Sequence, residues 1–150
     1  MRARTSRHRL PGPEALARLA ALSAGERPVR VIVVGSRTVS DRAYVFEALD
    51  RVLARLDPRL IEIVSGTARG ADRLGEAYAA ARGLPLRRFP ADWARHGRAA
   101  GFRRNEAMAA YATHLVAFWD GRSRGTRHMI ETARRAGLRV RVLPAARRRT

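Results

Sequence analysis

Between residues 29 and 143, short apolar runs alternate with stretches whose apolar positions recur every three or four residues. The runs are Val29–Val34, Leu60–Val64, Leu86–Phe89, Leu115–Trp119 and Leu138–Leu143. Their length and their valine, isoleucine and leucine content predict strands. The first and fourth are continuously apolar or nearly so, the pattern of parallel strands covered on both faces. Val45, Ala48, Leu49, Val52, Leu53 and Leu56 share one helical stripe, which predicts a helix over 41–56 ended by Asp57-Pro58. Ala71, Leu74, Tyr78 and Ala81 predict a second, closed by Gly83, and Met129, Ile130 and Ala133 begin a third, closed by Gly137. A less regular helix is expected over 100–112. Gly83-Leu84 and Gly137-Leu138 look alike because each is a helix C-cap leading into a strand, not because the sequence repeats. Strands and helices alternating at this spacing specify an α/β fold: a Rossmann-like three-layer sandwich with a five-stranded, mainly parallel sheet and right-handed crossovers.

The ends depart from this pattern. Residues 1–28 read as a basic extension, punctuated by proline and glycine, with one short helix over 14–23. Its Ala15, Leu16, Leu19, Ala20 and Leu22 faintly resemble a signal peptide, but Arg18 interrupts the run and Pro11-Gly12-Pro13 precedes it, so a short amphipathic helix is the better reading. Residues 144–150 form a tail with Arg147, Arg148 and Arg149. The expected organisation is therefore the extension 1–28, one domain over 29–143 and the tail 144–150, with both ends at the surface. No stretch approaches the roughly 20 uninterrupted apolar residues of a membrane span.

Composition adds two constraints. Cysteine is absent, which excludes a disulfide framework, a thiolate metal site and a cysteine nucleophile, and fits a cytoplasmic protein. The formal net charge is +18, and arginine supplies all 31 basic residues. Lysine neutralises phosphate nearly as well, so selection for nucleic-acid binding gives no reason to exclude it. A genome-wide arginine codon preference explains that absence more simply. The charge alone is thus a poor witness for a nucleic-acid partner, although so basic a chain meets polyanions whatever its origin.

In open parallel sheets ligands bind beyond the carboxyl ends of the strands. At that edge the sequence collects Gly35-Ser36-Arg37, then Ser65-Gly66-Thr67-Ala68-Arg69-Gly70-Ala71-Asp72, then Asp92-Trp93, and finally Asp120 with Ser123, Gly125 and Thr126. Gly66 and Gly70 permit a tight turn and close approach to a ligand, and the helix that follows offers free N–H groups to an anion. Arg69 adds a candidate bidentate phosphate contact. The segment is neither a G-x-G-x-x-G fingerprint nor a Walker A loop. It would also serve as a plain strand-to-helix turn, just as Ser123–Thr126 would serve as a simple N-cap. Trp93 is the preferred base-stacking candidate; for Trp119, burial under loops or in a contact between two copies is an equal alternative. Asp72, Asp92 and Asp120 are the acids placed for acid–base work, Asp92 and Asp120 being the weak catalytic candidates, while Asp72 would equally complement the helix dipole. The histidines at 8, 96, 114 and 128 show no metal-ligand spacing, so no metal and no cofactor is expected.

Taken in order, these residues resemble the SLOG superfamily, and within it the YspA-type (YAcAr) group, over about Val29 to Leu143. The resemblance implies a Rossmann-like sheet that binds a nucleotide or nucleotide-derived signal, and it brings Arg104 and Asn105 into the site. Two related families suggest alternatives. DprA proteins bind single-stranded DNA and carry a similar Gly-Ser-Arg and a similar Ser-Gly-x-Ala-x-Gly segment, here with Ala71 in place of isoleucine. LOG phosphoribohydrolases cleave nucleoside monophosphates with a glutamate that follows a Gly-Thr pair. In this chain Gly125-Thr126 matches, but Met129 stands at the glutamate position and Glu131 lies about 200° around the helix. Whether any reaction is catalysed stays open at this point. The expected partners are a small nucleotide-type ligand, with single-stranded or non-specific nucleic acid as the rival and a homodimer as a further candidate.

Overall fold

The computed structural model describes residues 12–148. Five parallel strands form one sheet: β1 (Val29–Gly35), β2 (Ile61–Ser65), β3 (Leu86–Arg88), β4 (His114–Trp119) and β5 (Arg139–Pro144), in the order β3-β2-β1-β4-β5. Every pairing is parallel, with Val31 opposite both Ile63 and His114. The chain therefore builds outward from β1 to β3, returns across the sheet and builds outward again on the other side. The carboxyl ends of β1 and β4 flank the switch point.

Period-two alternation sends successive residues of each strand into two separate cores. Val31, Val33, Ile63, Val116 and Phe118 face α2 (Arg42–Leu53) and α3 (Ala71–Arg82). Ile32, Val34, Val64, Leu115 and Ala117 face α5 (Ala100–Tyr111) and α6 (Arg124–Arg135). This is the expected three-layer α/β sandwich, and its sheet is wholly parallel. The remaining α-helices among the described residues are α1 (Pro13–Ser23) and the single turn α4 (Trp93–His96). Residues 1–11, and the final two residues of the tail, lie outside the described residues. Among those described, no helix is long and apolar enough to cross a membrane.

Two local details differ from the pattern or go beyond it. Helix α2 stops at Leu53, a turn earlier than the stripe through Leu56 implies. Pro58 disfavours a helical residue before it, Asp57 is extended, and Ala54 and Leu56 donate to the carbonyls of Arg51 and Leu53 in tighter turns. Leu56 still reaches the core from that turn. The second detail is Gly75 in the middle of α3. A Cβ there would lie 2.7 Å from the Val33 Cβ, so this glycine lets α3 settle directly on β1.

Candidate functional site

Three loops meet at the switch point because small residues let their backbones touch. The end of β1 is pressed between β4 and α3: a Cβ on Gly35 would stand 2.3 Å from the Phe118 carbonyl and 2.7 Å from the Ala71 Cβ. Ser36 donates its N–H to the Phe118 carbonyl at 3.0 Å, and its hydroxyl accepts the Asp120 N–H at 3.2 Å. Gly70, with φ +80°, carries the β2–α3 loop against the β1–α2 loop, where a Cβ would lie 2.5 Å from the Ser36 carbonyl. Within the β2–α3 loop, Thr67 occupies the left-handed region at φ 66°. That conformation is held by the Ser65 hydroxyl, which accepts the Thr67 N–H at 3.0 Å, and by Asp72, which accepts the Ala68 N–H at 3.2 Å.

Helix α5 closes the other side. The Arg104 guanidinium donates to the Gly66 carbonyl and, at 3.1 Å, to the Asn105 side-chain oxygen. Asn105, itself buried, passes its amide on to the Gly125 carbonyl at 3.3 Å and to His128 Nδ1 at 3.1 Å. His128 stacks on Phe102, with ring centroids 4.0 Å apart. One asparagine thus ties α5 to the start of α6 and presents Arg104 to the β2–α3 loop. At that start, Asp120 accepts the Arg122 and Ser123 N–H groups at 2.8 Å, and Ser123 caps the helix through the Thr126 N–H at 3.4 Å.

The result is a cleft of about 470 Å³. Among the residues expected at the site, Gly35, Ser36, Arg37, Asp72, Trp93, Arg104, Asn105, Asp120, Ser123, Gly125 and Thr126 line it. Ser65, Gly66, Thr67 and Gly70 stand behind the wall; they shape the loop and do not line the cleft. Arg69 is exposed outside it, and Asp92 caps α4 through the Arg95 N–H at 3.1 Å. Trp119 packs against the α5–α6 core and donates to the Ser123 carbonyl at 3.1 Å. The four histidines are dispersed over the sequence, and among the described residues no group of three or more acids and histidines is gathered for a metal.

Val34, Thr38, Gly101, Phe102 and Met129 also line the cleft and were not expected at the site, and Ala68, from the expected Ser65–Asp72 segment, lines it together with Arg98. Part of this was readable, since Gly101 and Phe102 precede Arg104 and Asn105 by three residues each and so share their helix face. Trp93 and Phe102 remain 56% and 46% exposed, Phe102 with one face stacked on His128.

The charges in the cleft are unequal. Asp72 is 4% exposed, and burial pushes its carboxyl up to about 7 against the opposing Ala68 N–H and Arg104. Burial likewise draws the Arg104 guanidinium below its usual range; Asp72 opposes this and Arg37 adds to it. Asp120 is the reverse case, held below the usual carboxylate range by the Ser123 and Arg122 N–H groups. His128 is lowered chiefly by burial, which matches a ring nitrogen that accepts from Asn105.

Residues 29–96, from β1 to the end of α4, match the family model described as YspA, cpYpsA-related SLOG family. Gene 61 protein of Mycobacterium phage D29 is 41% identical over 119 residues, which cover 74% of this chain and 93% of that protein. The chain belongs to the YspA, cpYpsA-related SLOG family. Two solved structures share its fold. DNA processing protein A (DprA) from Streptococcus pneumoniae superposes with a TM-score of 0.61 at 21% identity, over 80% of this chain and 51% of that one. DprA from Helicobacter pylori, a protein with a single-stranded DNA binding mode, gives a TM-score of 0.54 at 17% identity, over 79% and 66% of the respective chains. This SLOG chain thus spans about half the length of the streptococcal DprA. The family match ends before α5 and α6, so the half of the cleft that holds Arg104, Asn105 and Ser123 to Met129 lies beyond it.

Proposed function

We propose that the cleft binds the phosphate of a nucleotide or nucleotide-derived signal, with the base against Trp93. The observation that carries this reading is the convergence of Arg37, Arg98 and Arg104 on one cleft beside the start of α6. Ser123 caps only the Thr126 N–H there, so the N–H groups of Arg124 and Gly125 have no acceptor within their helix. A Cβ on Gly125 would meet nothing within 4 Å, which leaves that backbone open to an incoming anion. Met129 lines the cleft at the position where LOG enzymes carry their glutamate, and a thioether supplies neither charge nor proton. Binding is therefore the better-supported role.

The test is calorimetry with ADP-ribose, NAD, AMP, ATP and cyclic nucleotides. At least one should bind at submillimolar concentration, with a loss of about tenfold or more in Arg37→Ala, the range of a lost charge-assisted contact. No binding by any of them at millimolar concentration would remove this reading.

A second reading, single-stranded DNA, is favoured by one observation. Arg95 and Arg103 are exposed within two residues of the exposed aromatics Trp93 and Phe102, a local mix of cations and stacking side chains suited to a strand.

A further inference from the structure

We infer that the cleft takes up its anion together with one proton, and that Asp72 is the residue that holds it. The inference rests on the anion-binding reading above and adds what happens at the floor of the site. Asp72 sits in the first turn of α3 and is one of the residues that line the cleft. One oxygen accepts the Ala68 N–H, and among the described residues no salt bridge reaches the group. Arg104 lies on the far side of Gly66, where a Cβ would stand 2.8 Å from Asp72 Oδ2 and 3.0 Å from an Arg104 nitrogen. The missing side chain at residue 66 is what lets carboxyl and guanidinium share that space.

Every neighbouring element contributes to the electrostatic balance. From the β2–α3 loop comes the Ala68 N–H; from α5, Arg104; from the β1–α2 loop, Arg37, which acts on Arg104. From α3 itself comes Glu76, whose carboxylate is bonded to Ser65 and Arg88 and raises the proton affinity of Asp72. Asp120, after β4, lines the same cleft with its own negative charge. Burial outweighs the favourable groups and leaves the carboxyl near its midpoint at neutral pH.

An anion seated between Arg37 and Arg104 shifts this balance in one direction. It adds negative charge beside Asp72 and takes a share of the field of Arg104, so both effects favour the neutral acid. Ionised, Asp72 repels the ligand; protonated, it donates an O–H to a ligand oxygen. The balanced step is carboxylate plus anion plus one proton from solvent, giving the neutral acid hydrogen-bonded to the anion. Above the free-state midpoint each bound anion consumes close to one proton, and affinity falls about tenfold per pH unit.

The experiment uses the full chain with NAD and with inorganic sulfate, neither of which titrates near neutrality. Calorimetry is run from pH 6 to pH 9 in pairs of buffers that differ in ionisation enthalpy. Uptake should rise from a fraction of a proton at pH 6 to nearly one at pH 8.5, while affinity drops about tenfold per unit above pH 7. In Asp72→Asn, whose amide also donates, uptake should vanish and affinity should stay level with pH. Binding without proton exchange in the wild-type protein, or an unchanged pH slope in Asp72→Asn, overturns the inference and leaves the anion reading standing. If neither probe binds at millimolar concentration at any pH, the inference falls, and the nucleotide panel decides whether the reading falls with it. Should Asp72→Asn fail to fold, the wild-type proton count still decides.

Discussion

A carboxyl with 4% exposure weakens the free protein whenever it is ionised. Asp72 has a folded-state midpoint of about 7, well above the value of roughly 3.9 for an unfolded aspartate, so between those values the folded chain holds a proton that the unfolded chain releases. The stability gained by keeping the group neutral is complete below the unfolded value and is lost as pH rises through the folded one. By pH 8 the burial of the charge costs on the order of a few kcal/mol. Asp72→Asn keeps an acceptor for the Ala68 N–H and removes the charge. It should therefore melt several degrees higher than the wild-type protein at pH 8, with the difference closing toward pH 4, as thermal unfolding followed by circular dichroism would record. A lower melting temperature at pH 8 would mean that Arg104 and the loop fully compensate the carboxylate. Stability given up by a residue in the cleft would fit a group kept for its ligand.

Helix α6 starts from a single side-chain cap. Ser123 alone satisfies the Thr126 N–H, and its hydroxyl also lies 3.0 Å from that of Thr126. Ser123→Ala should cost about 1 kcal/mol, seen as a fall of a few degrees in melting temperature, because Asp120 still holds the preceding loop through the Arg122 and Ser123 N–H groups. This helix also illustrates what was legible in the sequence. Met129, Ile130 and Ala133 gave it away because three- and four-residue spacing is a consequence of burying one face against a sheet. The strands were legible to within one residue at each end, since both faces of β1 and β4 are covered and tolerate only apolar side chains. Less visible was whatever depends on one backbone approaching another. Gly75 looks like any helical glycine until Val33 is seen beneath it, and Gly66 and Gly70 read as ligand contacts although the groups they admit are Asp72, Arg104 and the Ser36 carbonyl. Arg104 and Asn105 were reached through family resemblance, because the irregular pattern of α5 hides which face meets the sheet edge.

Across the whole molecule the dominant property is a formal charge of +18 carried by arginine alone. Part of that charge is spent internally: Arg59, Arg82, Arg88, Arg127 and Arg147 pair with carboxylates. What remains attracts any polyanion at low salt, so affinity for DNA measured in one buffer cannot distinguish a strand site from general attraction. The distinguishing quantity is the slope of log affinity against log salt, read in two kinds of variant of the full chain. Replacing Arg2, Arg4, Arg7 and Arg9 together with Arg148 by glutamine removes charge from the ends and leaves every cleft residue in place. Arg37→Ala removes one charge from the cleft. If the cleft serves a small nucleotide, the terminal replacements should flatten the slope for single-stranded DNA and remove most of the affinity, while mononucleotide binding stays at its wild-type level. Arg37→Ala should then do the opposite, weakening the mononucleotide by about tenfold or more with little effect on the strand. A strand site running from the cleft past Trp93 and Phe102 reverses both outcomes: affinity and a steep slope survive the terminal replacements, and Arg37→Ala weakens DNA and mononucleotide together. The first pattern is expected, because the cleft gathers Arg37, Arg98 and Arg104 within about 470 Å³, a volume suited to one small ligand.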